Sequence, residues 1–235
     1  MTSLSENAII AKYFAYKHLP KVHGEPTYAD IDQAEKQTTT NLAKVKTTLG
    51  GGHHGMVAIN MTPETYATET GSAWNPPDHP GIAPIIPAAT SAVESKNITT
   101  LYEINLKNAN LVADCQDAVQ LQLLEAFDED YFLELRDNLI GYANVTVYEM
   151  FQHLYDTCGN QTPYDLRMNA KRINEPYDPA TPIIAYFNKV EEICKYATRA
   201  SDPISPTTVL AAAYVAIQDT IPRLSNLQTK QSNIE

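Results

Sequence analysis

The sequence is poor in cysteine and in basic residues, and it has no long apolar run. Cys115, Cys158 and Cys194 are far apart and odd in number. They form no Cys-x-x-Cys pair and no disulfide framework, which fits a reducing, cytoplasmic setting. No window approaches the ~18 uninterrupted apolar residues of a membrane span. The opening MTSLSENAIIAKYFAYKHLP lacks the basic start and continuous apolar run of a secretory signal, so no membrane partner is expected. Seventeen Lys and Arg stand against 28 Asp and Glu, a net charge of −11. Phosphate binding rests on Lys and Arg, so the surface as a whole is poorly suited to nucleic acid.

The short motifs of catalysis are missing too. There is no Gly-x-Ser-x-Gly, no His-Glu-x-x-His and no phosphate-binding glycine pattern, and no cysteine has a histidine partner by local motif. The sequence gives no positive case for an enzyme, a catalytic residue or a cofactor. The most reactive-looking stretch is Gly50-Gly51-Gly52-His53-His54-Gly55. Adjacent histidines point in different directions. A third metal ligand would have to come from His18, His23, His79 or a carboxylate, and no spacing supports one. The stretch reads as a turn between a helix and a short extended segment at Met56–Ile59. Its competing reading is a ligand or metal site in a monomeric helical protein or enzyme that uses His53 and His54. Asp128-Glu129-Asp130 reads as carboxylates at the positive end of a helix rather than as a cation site, and His153 as a packing histidine.

What is present is helical pattern. Hydrophobic residues make up 43% of the 235-residue chain, enough for a sizeable core. Val147, Met150, Phe151, Leu154 and Tyr155 recur at i, i+3, i+4, i+7 and i+8. Thr146 stands at the N-cap position with Glu149 completing a capping box, and Gly159 reads as a left-handed stop. Further helices are expected over Glu6–His18, from Thr27 to about Leu49, from Pro63 to about Thr68, over residues 97–126, and from Asp128 to a break at Gly141. Others start at Thr162-Pro163, Thr181-Pro182 and Ser205-Pro206, the last broken at Ile221-Pro222. Residues 223–235 read as a short helix or a polar tail. Asn75–Thr90 carries five prolines, each fixing φ and lacking a donor, and reads as an extended arm. Strand pattern is almost absent, so the expected fold is all-α with seven to nine helices.

Charge is uneven along the chain. Residues 94–157 carry a net charge of −9, residues 1–93 carry −2 and residues 158–235 carry none, and the acidic stretch reads as a solvated helix face. Four Asn-x-Thr triplets, at Asn60, Asn97, Asn144 and Asn160, match a glycosylation pattern. Helix capping by Thr62, Thr99, Thr146 and Thr162 accounts for them without glycosylation.

Three blocks carry a family resemblance. The first covers Tyr131–Gly159 and the acidic turn before it, DEDYFLELRDNLIGYANVTVYEMFQHLYDTCG. The second is Thr162–Ala197, TPYDLRMNAKRINEPYDPATPIIAYFNKVEEICKYA, and the third is Ile204–Pro222. In order they resemble the Gag (capsid) protein of Copia-type LTR retrotransposons. GGGHHGMVAINMTPETYAT and NPPDHPGIAPIIPA are similar to the start of Gag-like proteins from algal and protist elements. The resemblance implies a helical capsid protein that self-assembles into virus-like particles around element RNA. It does not extend to the zinc knuckle with which the family often ends: the chain has no such motif, and its QTKQSNIE segment has no basic run.

The domain organisation expected is residues 1–93 as an N-terminal helical region, 94–130 as a long acidic helix and 131–235 as a C-terminal bundle, with the boundary near Glu125–Asp130. Leu135, Leu139, Val147, Phe151, Leu154, Phe187, Val190 and Ile193 are expected in the core. Aromatic content makes Tyr186, Tyr196 and Tyr214, with the Pro-rich arm, the candidate assembly surface. A helical scaffold with a peptide groove, derived from such a protein but no longer assembling, is a third reading.

Overall fold

A computed structural model describes residues 6–218. The Ile221-Pro222 break and the 223–235 segment lie outside the described residues. The fold is all-α. The helices are α1 (Glu6–Tyr13), α2 (Tyr28–Ala43), α3 (Pro63–Thr70), α4 (Ala92–Ala126), α5 (Val147–Thr157), α6 (Pro163–Arg172), α7 (Ile183–Arg199) and α8 (Pro206–Gln218). Short 3-10 turns lie between some of them, and the described residues contain no strand, only a lone bridge between Asp137 and Gly141.

Local chemistry sets most helix starts. The Thr27, Thr146 and Thr162 hydroxyls accept from the backbone N–H three residues on. In return the Asp30, Glu149 and Asp165 carboxylates accept from the cap N–H groups, making three capping boxes. Thr62, Ser91 and Ser205 also cap through their side chains. Two threonines depart from this pattern. Thr181 does not cap α7; its hydroxyl donates to the Asp178 carbonyl at 2.8 Å. Thr99 lies inside α4 and bonds back to Ser95.

The chain divides into two compact units, Met1–Gly159 and Asn160–Glu235. The expected boundary near Glu125–Asp130 is therefore displaced by about a whole α5 and its lead-in. The physical reason is the first core. Phe132, Val147, Met150, Phe151 and Leu154 are buried in one cluster with Ile9, Phe14, Ile31, Leu42, Cys115, Val119 and Leu123. Each large apolar side chain buried there contributes about 1.5–3 kcal/mol. α5 therefore belongs with α1, α2 and the second half of α4.

Amide side chains fix the register of that packing. Gln122 Nε2 on α4 donates to the Tyr16 and Lys17 carbonyls, both at 2.9 Å. Asn41 on α2 accepts from Tyr16 N at 2.7 Å and donates to Tyr16 O and Gln122 Oε1. This clamp ties the α1–α2 connection to both longer helices. Gln116 and Gln120 donate to the Val145 carbonyl just before α5, and the Tyr155 hydroxyl donates to Glu35 on α2 at 2.8 Å. The polar stretch inside α2 is thus part of the interior: Thr38 and Asn41 are fully buried.

Several expectations are corrected. Helix α2 stops at Ala43, short of Leu49. Met56–Ile59 is not extended; Val57–Asn60 is a 3-10 turn. With no neighbouring strand its backbone groups pair locally, Ile59 N to Met56 O and Met61 N to Ala58 O. The segment after Asp128 is a 3-10 turn, Glu129–Leu135, rather than a helix to Gly141. The Asp137 carboxylate ends it by accepting from the Leu139 and Ile140 amides at 2.7 and 3.1 Å. Leu139 is consequently pushed to the surface, 90% exposed, and is not a core residue. Gly159 is not left-handed. It is small because a Cβ would meet the Tyr155 carbonyl oxygen at 2.6 Å.

The second unit packs α6, α7 and α8 around two small clusters. One holds Ile173, Ile193 and Ala212; the other holds Tyr186, Val190 and Ala216. Asn169 donates to the Ile193 carbonyl at 3.0 Å, and ion pairs join Arg172 to Glu192 and Lys189 to Glu175. Both pairs are largely exposed and contribute little.

Candidate functional site

The glycine–histidine loop is held from beneath by aromatic rings. Gly50, Gly51, Gly52 and Gly55 all have positive φ. The buried Tyr66 hydroxyl donates to the Gly50 carbonyl at 2.7 Å. Trp74 lies 5.7 Å from the Tyr66 ring and His54 meets that ring edge-on at 6.2 Å. His53 and His54 are both exposed. Among the described residues no group of three or more His, Cys, Asp or Glu side chains could hold a metal ion. The loop packs as a turn from α2 into the 3-10 turn at Val57.

The acidic turn is exposed at Asp128, Glu129 and Asp130. Glu129 pairs with Arg136 at 3.3 Å and accepts from the Tyr142 hydroxyl at 3.4 Å. Burial and the neighbouring Glu129 raise the Tyr142 phenol above its ordinary value. The three cysteines are free thiols. Burial, with Asp114 beside it, pushes the Cys115 thiol up to about 12, and burial also raises Cys194. Raised thiols are poor nucleophiles at neutral pH.

Of the sequence-based core residues, Val147, Phe151, Leu154, Val190 and Ile193 are buried and Leu135 is half-buried against the first core. Phe187 is not a core residue: it is 47% exposed. The candidate surface residues split likewise. Tyr186 is buried, 7% exposed, so it is withdrawn from the assembly surface. Tyr196 is half-buried, and its carbonyl accepts from Gln161. Tyr214 is 66% exposed. The exchange of Tyr186 and Phe187 follows from the helix. The buried stripe of α7 is Tyr186, Val190, Ile193 and Ala197, and Phe187 lies about 100° further round.

The surface that remains is apolar. In the second unit Ile183, Ile184 and Phe187 on α7 and Leu210, Tyr214, Val215 and Ile217 on α8 are uncovered. In the first unit Ile82 and Ile85 of the arm and Val93, Leu101 and Ile104 of the first half of α4 are uncovered. Aromatics and prolines pointed to Tyr214 and the arm and missed the rest. The usable signal was the lack of charge: no Asp, Glu, Lys or Arg occurs between Asp202 and Asp219, so α8 has no charged face to turn outward. No helix among the described residues is long and apolar enough to cross a membrane.

Family models, curated proteins and solved structures were compared with the chain, and none matches it.

Proposed function

We propose that the protein is a structural, Gag/capsid-type subunit of an LTR retrotransposon that self-assembles into virus-like particles. The observation that carries this reading is the apolar surface left on a small helical unit after its own core is complete. α8 buries Ala212 and Ala216 and still presents Leu210, Tyr214 and Ile217 on a separate face. Contiguous exposed apolar surface marks contact with another body. The all-α architecture and the ordered resemblance over residues 128–222 support the same reading. The partner is then another copy of the chain, and element RNA is the cargo enclosed rather than a ligand of this acidic surface.

The test is size-exclusion chromatography with light scattering, followed by electron microscopy. Particles or large oligomers are expected at high protein and salt, where apolar contacts strengthen and like-charge repulsion is screened. A monomer under all those conditions would sink the proposal.

A further inference from the structure

The Pro-rich arm presents two isoleucines almost entirely to solvent. Ile82 is 94% exposed and Ile85 95% exposed. Side chains this bare usually sit on slack loops, but this arm is held. The Tyr102 hydroxyl on α4 donates to the Gly81 carbonyl at 3.0 Å, Gly81 N donates to His79 Nδ1 at 3.1 Å, and Thr90 N donates to Pro87 O at 3.0 Å. Pro84 and Pro87 fix their own φ and bias Ala83 and Ile86 to extended backbone. Little further conformational freedom would be lost on docking, which is what makes Pro-rich segments good ligands.

The chemistry of the arm narrows what it fits. From Pro80 to Val93 there is no charged or titratable residue. The part of the arm that carries Ile82 and Ile85 therefore offers nothing to an acidic groove and nothing to phosphate or an anionic lipid surface. It requires an uncharged apolar face with two or three contact points. The chain carries such a face on α8, where Leu210, Tyr214 and Ile217 follow at i, i+4 and i+7 with no charge from Pro203 to Gln218. The spacings also agree. Three extended residues separate Ile82 from Ile85 by about 9 Å, and seven helical residues separate Leu210 from Ile217 by about 10 Å. The spacing of the two isoleucines thus matches the span from Leu210 to Ile217, with Tyr214 between them in sequence.

We propose that the arm of one copy, through Ile82 and Ile85, docks on the Leu210–Tyr214–Ile217 face of α8 of a second copy. The contact rests on the assembly reading above and gives it a specific form. It is head-to-tail, because two different surfaces meet, so it propagates from copy to copy until it closes.

Complementation separates this contact from others. One variant carries Ile82→Asp and Ile85→Asp, the other Leu210→Asp and Tyr214→Asp. All four residues are exposed, and circular dichroism checks the helices of each. Alone, each variant is expected to self-associate at least tenfold more weakly than the wild-type chain by analytical ultracentrifugation. Mixed, they are expected to form a 1:1 complex that grows no further, since only one good arm and one good α8 face remain. Wild-type assembly with undisturbed assembly of the arm variant, or no complex on mixing, overturns the contact and leaves the assembly reading standing. A wild-type chain that is monomeric throughout overturns both, and covers an arm that docks only within its own chain.

Discussion

Gly55 shows how tightly the first unit is built around single residues. Its φ is +60°, and a Cβ there would lie 2.5 Å from the Leu42 carbonyl oxygen and 2.8 Å from that of Ala43. Both neighbours are backbone at the end of α2 and cannot rotate away. Gly55→Ala is expected to cost more than about 2 kcal/mol through combined strain and clash, measured by urea denaturation; an unchanged midpoint would show that the loop yields. Tyr186 is the opposite case. Its hydroxyl is buried with no hydrogen-bond partner among the described residues, so Tyr186→Phe is expected to leave stability unchanged or raise it by about 1 kcal/mol. A loss of that size in thermal melts would show that the hydroxyl is satisfied after all. The sequence pointed to both Tyr186 and Phe187 as special and reversed their places. Periodicity locates an apolar stripe, but one residue of phase decides which ring is inside, and phase is set by Tyr177 and Ala216 packing across from it.

At the scale of elements, the caps were the most legible feature, because a cap is decided within four residues. Thr146→Ala removes an N-cap from α5 and is expected to cost about 1 kcal/mol, read as a lower denaturation midpoint with the same slope; no shift would mean the box is redundant with packing. Asp165 gives a pH test. The Thr162 hydroxyl, then its backbone N–H, hold the Asp165 carboxyl below the ordinary value. Folding therefore favours its ionised form. The gain is present above the ordinary carboxylate range and is lost as pH falls through the lowered folded value. Asp165→Asn is expected to be less stable than wild type at neutral pH and to converge with it below that range; a constant gap across pH would contradict the linkage. The elements that sequence misread were those whose conformation depends on distant partners. Met56–Ile59 reads as extended by composition but has no strand among the described residues to pair with. The run after Asp128 reads as helix until the Asp137 carboxylate captures two amides.

At the scale of the whole molecule, fold class was legible and unit division was not. Helical period and scarce strand pattern suffice for an all-α reading. The boundary at Gly159 depends on Phe132, Met150 and Phe151 choosing the core of α1, α2 and α4, which no local signal states. The uncovered surface was half legible: Tyr214 and the arm from aromatics and proline, and the aliphatic face of α8 only through the missing charge. The central claim is that this surface is covered by other copies of the chain. The most direct measurement is the mass of the purified 235-residue chain against concentration, by analytical ultracentrifugation at low and high salt. Species many times the 26.0 kDa chain, growing with protein and with salt, are the expected result. A single 26.0 kDa species at every concentration and salt would contradict it.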